Sequence, residues 1–215
     1  MDLITPLLLL LSGYMLGSIP SGWLAGRWLA DLDIREHGSG STGATNVLRV
    51  VGKGPALLVF LVDVLKGSAA VVLARQVLGG SALAGGGWIL DAWVVAAGLA
   101  ALAGHIWPVW LGWKGGKAVA TGLGMLLGLA WPVGLACFGI FLTVLSLSRI
   151  VSLSSVVAAL SLPMLMLGWF GSGGLRPAYL ALALLTTALV VWRHRANLER
   201  LLQGTEPRLG EKREG

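Results

Sequence analysis

Residues 117–147 read KAVATGLGMLLGLAWPVGLACFGIFLTVLSL, an apolar run whose only charge is its first residue. As one α-helix it would measure about 46 Å at 1.5 Å per residue, against a bilayer hydrocarbon core of roughly 30 Å. Pro132 lacks an amide donor and crowds the turn before it, so the run is expected to break there, just after Gly128 and Trp131. Splitting it gives segments 117–130 and 132–147, each short for an upright crossing but usable inside a helix bundle.

Other apolar stretches lie on both sides of this one, at residues 3–27, 55–78, 88–110, 150–170 and 177–192. With the split, the count is seven transmembrane helices, and five is the fallback. The whole composition agrees: 56% of the 215 residues are hydrophobic and 12% charged, about half the charged share of soluble proteins. With a mean hydropathy of +0.81, a single water-soluble core cannot hide so much apolar surface. The expected fold is an all-α, polytopic integral membrane helix bundle, one domain over residues 1–215 with a short basic tail from about 194. No basic residue precedes the first apolar run, so it reads as a retained span rather than a cleaved signal peptide.

Charge placement suggests the orientation. With seven spans and the N-terminus outside, Arg27, Arg35, Arg49, Lys53, Lys66, Lys114, Lys117, Arg149 and the six basic residues of the tail face the cytoplasm. Only Arg75 and Arg176 fall outside. Trp23, Trp28, Trp110 and Trp192 near predicted ends suit an interfacial belt. Gly13 and Gly17, Gly22 and Gly26, and Gly124 and Gly128 are each four apart and would let helix backbones approach closely. The run 79–87, GGSALAGGG, reads as a flexible outer connection. Cys137 is the single cysteine, which leaves no disulfide framework and no cysteine-built metal site.

Four polar stretches remain, all on the predicted cytoplasmic side. In residues 33–54, glycines are mixed with Ser39, Ser41, Thr42, Thr45, Asn46 and Arg49. Glycines let backbone N–H groups share a concavity, short polar side chains add donors, and a guanidinium fork matches phosphate. Gly38, Gly40 and Gly43 spell GxGxxG, but a membrane span precedes them where a dinucleotide fold needs a strand. In residues 104–124, Lys114 and Lys117 bracket Gly115 and Gly116 ahead of an apolar helix, so two glycine amides and an ammonium can converge on an anion. His105 stands close by; Leu111 and Ala118 depart from a P-loop. The third stretch, 148–155, carries Arg149 and Ser152, and the fourth, 192–204, carries Arg193, His194 and Asn197 on one potential helix face. Asp63 and Lys66, three apart within a span, suit a structural ion pair.

These clusters offer several phosphate-binding groups without an evident covalent nucleophile, carboxylate pair or metal-ligand set. The HxxxxD spacing of CoA-dependent glycerolipid acyltransferases is missing, since Trp110 follows His105 and Glu199 follows His194 at that distance. GSGSTGATNVLR (38–49), GHIWPVWLGWKGGKAVATG (104–122), RIVSLSS (149–155) and RHRANLERLLQGTE (193–206), in that order, resemble the bacterial acyl-phosphate:glycerol-3-phosphate acyltransferases. The similarity runs from about residue 13 to 208. It implies an inner-membrane enzyme of phospholipid synthesis that moves a fatty acyl group from acyl phosphate to the 1-hydroxyl of glycerol 3-phosphate, giving lysophosphatidic acid and inorganic phosphate. No cofactor, metal or nucleic acid is implied, and a separate enzyme would supply the acyl phosphate.

By position in the motifs, the resemblance implies functional roles for Ser39, Thr45, Asn46, Arg49, His105, Lys117, Ser152, His194 and Asn197, with Gly43, Gly115 and Gly116 shaping phosphate loops. The catalytic subset is Ser39, Arg49, His105, Lys117, His194 and Asn197. Ser41, Ala118 and Ala196 depart from the family pattern, which has asparagine, glycine and an acidic residue there. A transporter for a phosphorylated solute is the competing expectation, because broken helices and basic cradles also suit transport.

Overall fold

The computed structural model describes residues 3–80, 87–170 and 176–211, and within them every regular element is helical. Helices α1 (Ile4–Ser18) and α2 (Ser21–Ala30) share one apolar stretch, interrupted at Ile19 and Pro20. A short α3 (Ala44–Val50) precedes α4 (Lys53–Gly79) and α5 (Trp88–Ile106). Then come α6 (Val119–Ser148), α7 (Val151–Phe170), α8 (Pro177–Arg193) and a short α9 (Arg195–Leu202). The expected flexible connection at 79–87 falls mainly on residues outside those described.

Among the described residues, five helical rods are long and apolar enough to cross a membrane, and a sixth is added if α8 and α9, bent by 59° at His194, form one span. Seven were expected, and that number is reached when α6, one rod by this measure, is taken as the two helices into which its backbone divides. Its backbone leaves the helical region at Ala130 (φ −149°, ψ 76°), two residues before Pro132. A Cβ on Gly134 would lie 3.0 Å from the amide nitrogen of Leu127, whereas seven residues of straight helix span about 10 Å. The chain therefore folds back at Ala130 into two arms, and residues near both of its ends border one cavity.

Close helix approaches come from absent side chains. A Cβ on Gly13 or Gly17 would sit 2.7 Å from the Ala97 carbonyl oxygen or 2.0 Å from that of Ala101, so α1 presses directly on α5. Between α4 and the first arm of α6 the arrangement is reciprocal: Gly67 faces the Thr121 carbonyl and Gly124 faces that of Val64. A buried cluster including Leu78, Leu102, Met125, Leu162 and Leu182 fills the interior. Leu7, Leu11, Leu58, Leu61, Leu65 and Met164 point outward, as lipid-facing surface requires. Trp28, Trp110 and Trp192 are exposed as expected of anchors, but Trp23 is not free for that role, since its indole N–H donates to Asp33.

Candidate active site

The polar stretches meet around a cavity of about 140 Å³. The segment leading into and forming α3 contributes Ser39, Ser41, Gly43, Thr45, Asn46 and Arg49, and the segment just before α6 contributes Lys117. Asp63 of α4 and His105 of α5 form the inner wall, Ser152 and Ser155 come from α7, and His194, Asn197 and Glu206 close the remaining side. Ten of the twelve residues expected from sequence line this space.

The first wall is organised by Asn46, which is 1% exposed. Its amide nitrogen donates to the carbonyls of Ile34 (2.9 Å), His37 (3.0 Å) and Ser41 (2.9 Å), and its oxygen accepts from the Ser39 amide at 2.8 Å. Its two amide hydrogens are shared among three carbonyls, and with the accepted bond they fold the loop that presents Ser39. The loop is tethered further by Asp33, whose carboxylate receives Arg35 at 2.7 Å, while Arg35 also donates to the Leu111 carbonyl at 3.1 Å. Hydrogen bonding from Arg35 holds the Asp33 carboxyl well below the usual range despite partial burial.

The opposite wall is a chain of charge-assisted bonds. Lys117 Nζ donates to Asn197 Oδ1 at 2.5 Å, the Asn197 amide donates to Glu206 Oε1 at 2.6 Å, and Ser152 donates to the same oxygen at 2.7 Å. Arg200 donates to the second Glu206 oxygen at 2.7 Å. Burial works to raise the Glu206 carboxyl, but the bonds from Ser152, Asn197 and Arg200 outweigh it and leave it below the ordinary value. Burial also pushes the Lys117 ammonium down, to about 8, the charge of Glu206 opposing that fall and the neighbouring arginines adding to it. Glu206 lies within the last quoted motif, yet nothing in its local sequence marks it. Its importance comes from three partners, one of them 54 residues away.

At the inner wall, Asp63 is paired with Lys66 at 2.8 Å, as its spacing predicts, and accepts from Ser21 at 2.7 Å. The pair is more than structural ballast, because Asp63 also borders the cavity and lies 3.6 Å from His105 Nδ1. Thr121 Oγ1 is 3.2 Å from that same nitrogen. His194 Nδ1 lies 2.8 Å from the Val190 carbonyl, which can only accept, so this nitrogen carries the proton and Nε2 of the neutral ring is an acceptor. The chain bends by 59° at His194, so Arg193 lies across the bend from Asn197, whereas His194 caps α9, accepts the Asn197 backbone N–H on its carbonyl at 2.8 Å and borders the cavity with it.

Gly115 and Gly116 correct the expectation of an amide cradle. Neither lines the cavity; Gly115 N–H donates to the Ile106 carbonyl at 3.0 Å and Gly116 N–H to that of His105 at 3.1 Å. Their contribution is space: a Cβ on Gly116 would lie 2.2 Å from His105 Nε2. Arg193 Nη2 donates to the Gly116 carbonyl at 3.0 Å and ties this segment to the end of α8.

Phe60, Val119, Phe141 and Ser155 also border a second, apolar cavity of about 90 Å³. Its other walls are Leu123 and Leu126 on the first arm of α6, Cys137 and Phe138 on the second, Leu162 on α7 and Thr186 on α8. A polar, basic chamber thus adjoins an apolar one across shared side chains, which suits a substrate with a charged head and an aliphatic tail.

Residues 7–204 match the family described as glycerol-3-phosphate acyltransferase. Among curated relatives, the chain is 70% identical to the glycerol-3-phosphate acyltransferase of Prochlorococcus marinus (strain MIT 9313), over 95% of both chains. It is 66% identical to that of Synechococcus sp. (strain CC9902), over 98% of both. Two crystal structures of PlsY (YgiH), an integral membrane glycerol 3-phosphate acyltransferase, share the architecture over 96% of each chain. The glycerol 3-phosphate form is 37% identical with a TM-score of 0.83, and the lysophosphatidic acid form 36% identical with 0.80. Fold, motif order and relatives agree, and they decide against the transporter: this chain belongs to the glycerol-3-phosphate acyltransferase family.

Proposed function

We propose that the chain transfers a fatty acyl group from acyl phosphate to the 1-hydroxyl of glycerol 3-phosphate, releasing 1-acylglycerol 3-phosphate and inorganic phosphate. The observation that carries this reading is the pair of adjoining chambers, one lined by Lys117, Arg49 and Ser39 and the other by aliphatic and aromatic side chains. Both phosphates would occupy the polar chamber, with Arg49 and Lys117 neutralising them and Ser39 donating a hydrogen bond. The aliphatic chain would lie between the arms of α6. Thr45, Ser152 and His194 border the same space, and Asn46 and Asn197 hold Ser39 and Lys117 in place.

An acyl phosphate is a mixed anhydride, already activated, so the step needs positioning and charge neutralisation rather than a covalent enzyme intermediate. The glycerol hydroxyl oxygen bonds to the acyl carbon, the acyl carbon–phosphate oxygen bond breaks, and phosphate leaves with that electron pair. The hydroxyl proton passes to a phosphate oxygen, whose second pKa near 6 suits it to the task. His105 and His194 are the rival bases, and a His105→Gln His194→Gln variant that keeps most of its turnover would eliminate them.

The membrane is a bacterial inner membrane, with the N-terminus outside and the polar chamber open to the cytoplasm, where a separate enzyme delivers acyl phosphate. The sequence count, which with seven spans assigns fourteen of sixteen lysines and arginines to one side, supports this orientation. Purified protein in detergent should release phosphate only when acyl phosphate and glycerol 3-phosphate are both present. Lys117→Ala and Arg49→Ala should each lower that release by about a hundredfold or more. Equal release without glycerol 3-phosphate, or full activity in both variants, would overturn the assignment.

A further inference from the structure

Pro132 has no N–H to offer the Gly128 carbonyl four residues back, and the backbone leaves the helical region at Ala130, directly after Leu129. In a lipid-covered bundle a carbonyl short of donors is costly, and the Gly128 and Leu129 carbonyls flank this break. Arg75 of α4 answers both: Nη1 donates to the Gly128 oxygen and Nη2 to the Leu129 oxygen, each at 3.1 Å. The guanidinium is itself held by the Tyr179 hydroxyl at 3.3 Å, and Tyr179 donates to Asp91 at 3.2 Å. This network lies at the opposite end of the arms from Lys117 and takes no part in holding phosphate.

The apolar chamber lies between the same two arms. Its walls run down the first arm from Ala118 to Leu126, about 12 Å at 1.5 Å per residue, and stop one helical turn short of the elbow. Beyond Leu126, toward the elbow, Leu129, Ala130 and Val133 are buried and none of them lines the chamber. Resting on the acyl-chain reading above, we infer that the Arg75-clamped elbow of α6 is the end wall of the acyl chamber and sets the chain length accepted. Arg75 is a specificity-determining positioning residue: it touches no substrate and acts through the angle between the arms. Gly134 belongs to the same device, because a Cβ there would press on Leu127 from inside the elbow and part the arms.

The test compares kcat/KM for dodecanoyl, tetradecanoyl, hexadecanoyl and octadecanoyl phosphate, with the KM for glycerol 3-phosphate measured alongside. Arg75→Gln and Gly134→Ala open the elbow, and Leu162→Ala deepens the chamber through α7 without touching it. Both elbow variants should raise the ratio of octadecanoyl to tetradecanoyl transfer about tenfold while the glycerol 3-phosphate KM stays within about twofold of the parent. An unchanged ratio in both, or equal loss at every length with a raised glycerol 3-phosphate KM, overturns the elbow as ruler. A shift in Leu162→Ala alone overturns the elbow and keeps the acyl chamber; absence of acyl transfer from every phosphate in the parent overturns the chamber reading itself. Should Arg75→Gln fail to fold, Gly134→Ala decides by the same ratio.

Discussion

Lys117 carries its charge under strain from burial, with a pKa near 8 rather than 10.5. If its ammonium neutralises phosphate, kcat/KM for glycerol 3-phosphate, which reports the free enzyme, should fall as pH rises above about 8. Lys117→Arg stays charged through that range and should lose the alkaline fall while keeping part of the activity. A parent profile flat to pH 10 would remove Lys117 from phosphate binding. Gly116 makes a second claim at this scale: Gly116→Ala should displace the His105 ring and cost about a hundredfold in kcat, with the helical circular dichroism unchanged. Sequence brought out residues whose identity suits an anion, and Lys117, Arg49 and Ser39 do line the cavity. Residues were misread where their chemistry depends on partners. Glycine amides look available in a sequence, but those of Gly115 and Gly116 are already spent on Ile106 and His105.

Between elements, the α1–α5 and α4–α6 contacts are limited by backbone carbonyls that cannot retreat as a side chain can. Gly17→Val places a Cβ about where the Ala101 oxygen sits, and should lower stability by about 3 kcal/mol in detergent, read as a fall in the thermal midpoint. Gly139→Ala, with nothing within 4 Å of its Cβ, should leave the midpoint unchanged or raise it through helix propensity. Spacing of four betrayed the Gly13–Gly17 and Gly124–Gly128 faces, and Pro132 betrayed the break in α6. The sharpness of that break was not legible, since it depends on Arg75 arriving from a helix more than fifty residues earlier. Positive charge counted by sidedness put Arg75 and Arg176 together outside; the structure links them through a relay in which Arg75 donates to Tyr179, and Tyr179 and Arg176 both donate to Asp91.

Across the whole molecule, four motifs meet because α6 doubles back and returns the chain to the level of Lys117 just before Ser152. The last segment then closes the circuit: the Leu209 amide donates to the Arg149 carbonyl at 2.7 Å, and Glu206 joins α7 to α9. A sequence can display the four motifs without disclosing this closure, since Glu206 is one acid among ten. Its carboxyl is held below the ordinary 4.5, so the stability it contributes is complete above that value and is lost as pH falls through the lower folded value. Glu206→Gln keeps the shape but gives up charge-assisted bonds to Ser152, Asn197 and Arg200, and should be less stable by about 2 kcal/mol near neutrality. On acidification the parent should lose thermal midpoint faster than the variant, and the two curves should converge once pH has fallen through the lowered folded value of Glu206. Parallel curves across that range would mean that the carboxylate's charge does not fasten the C-terminal segment to the site, and that packing alone does.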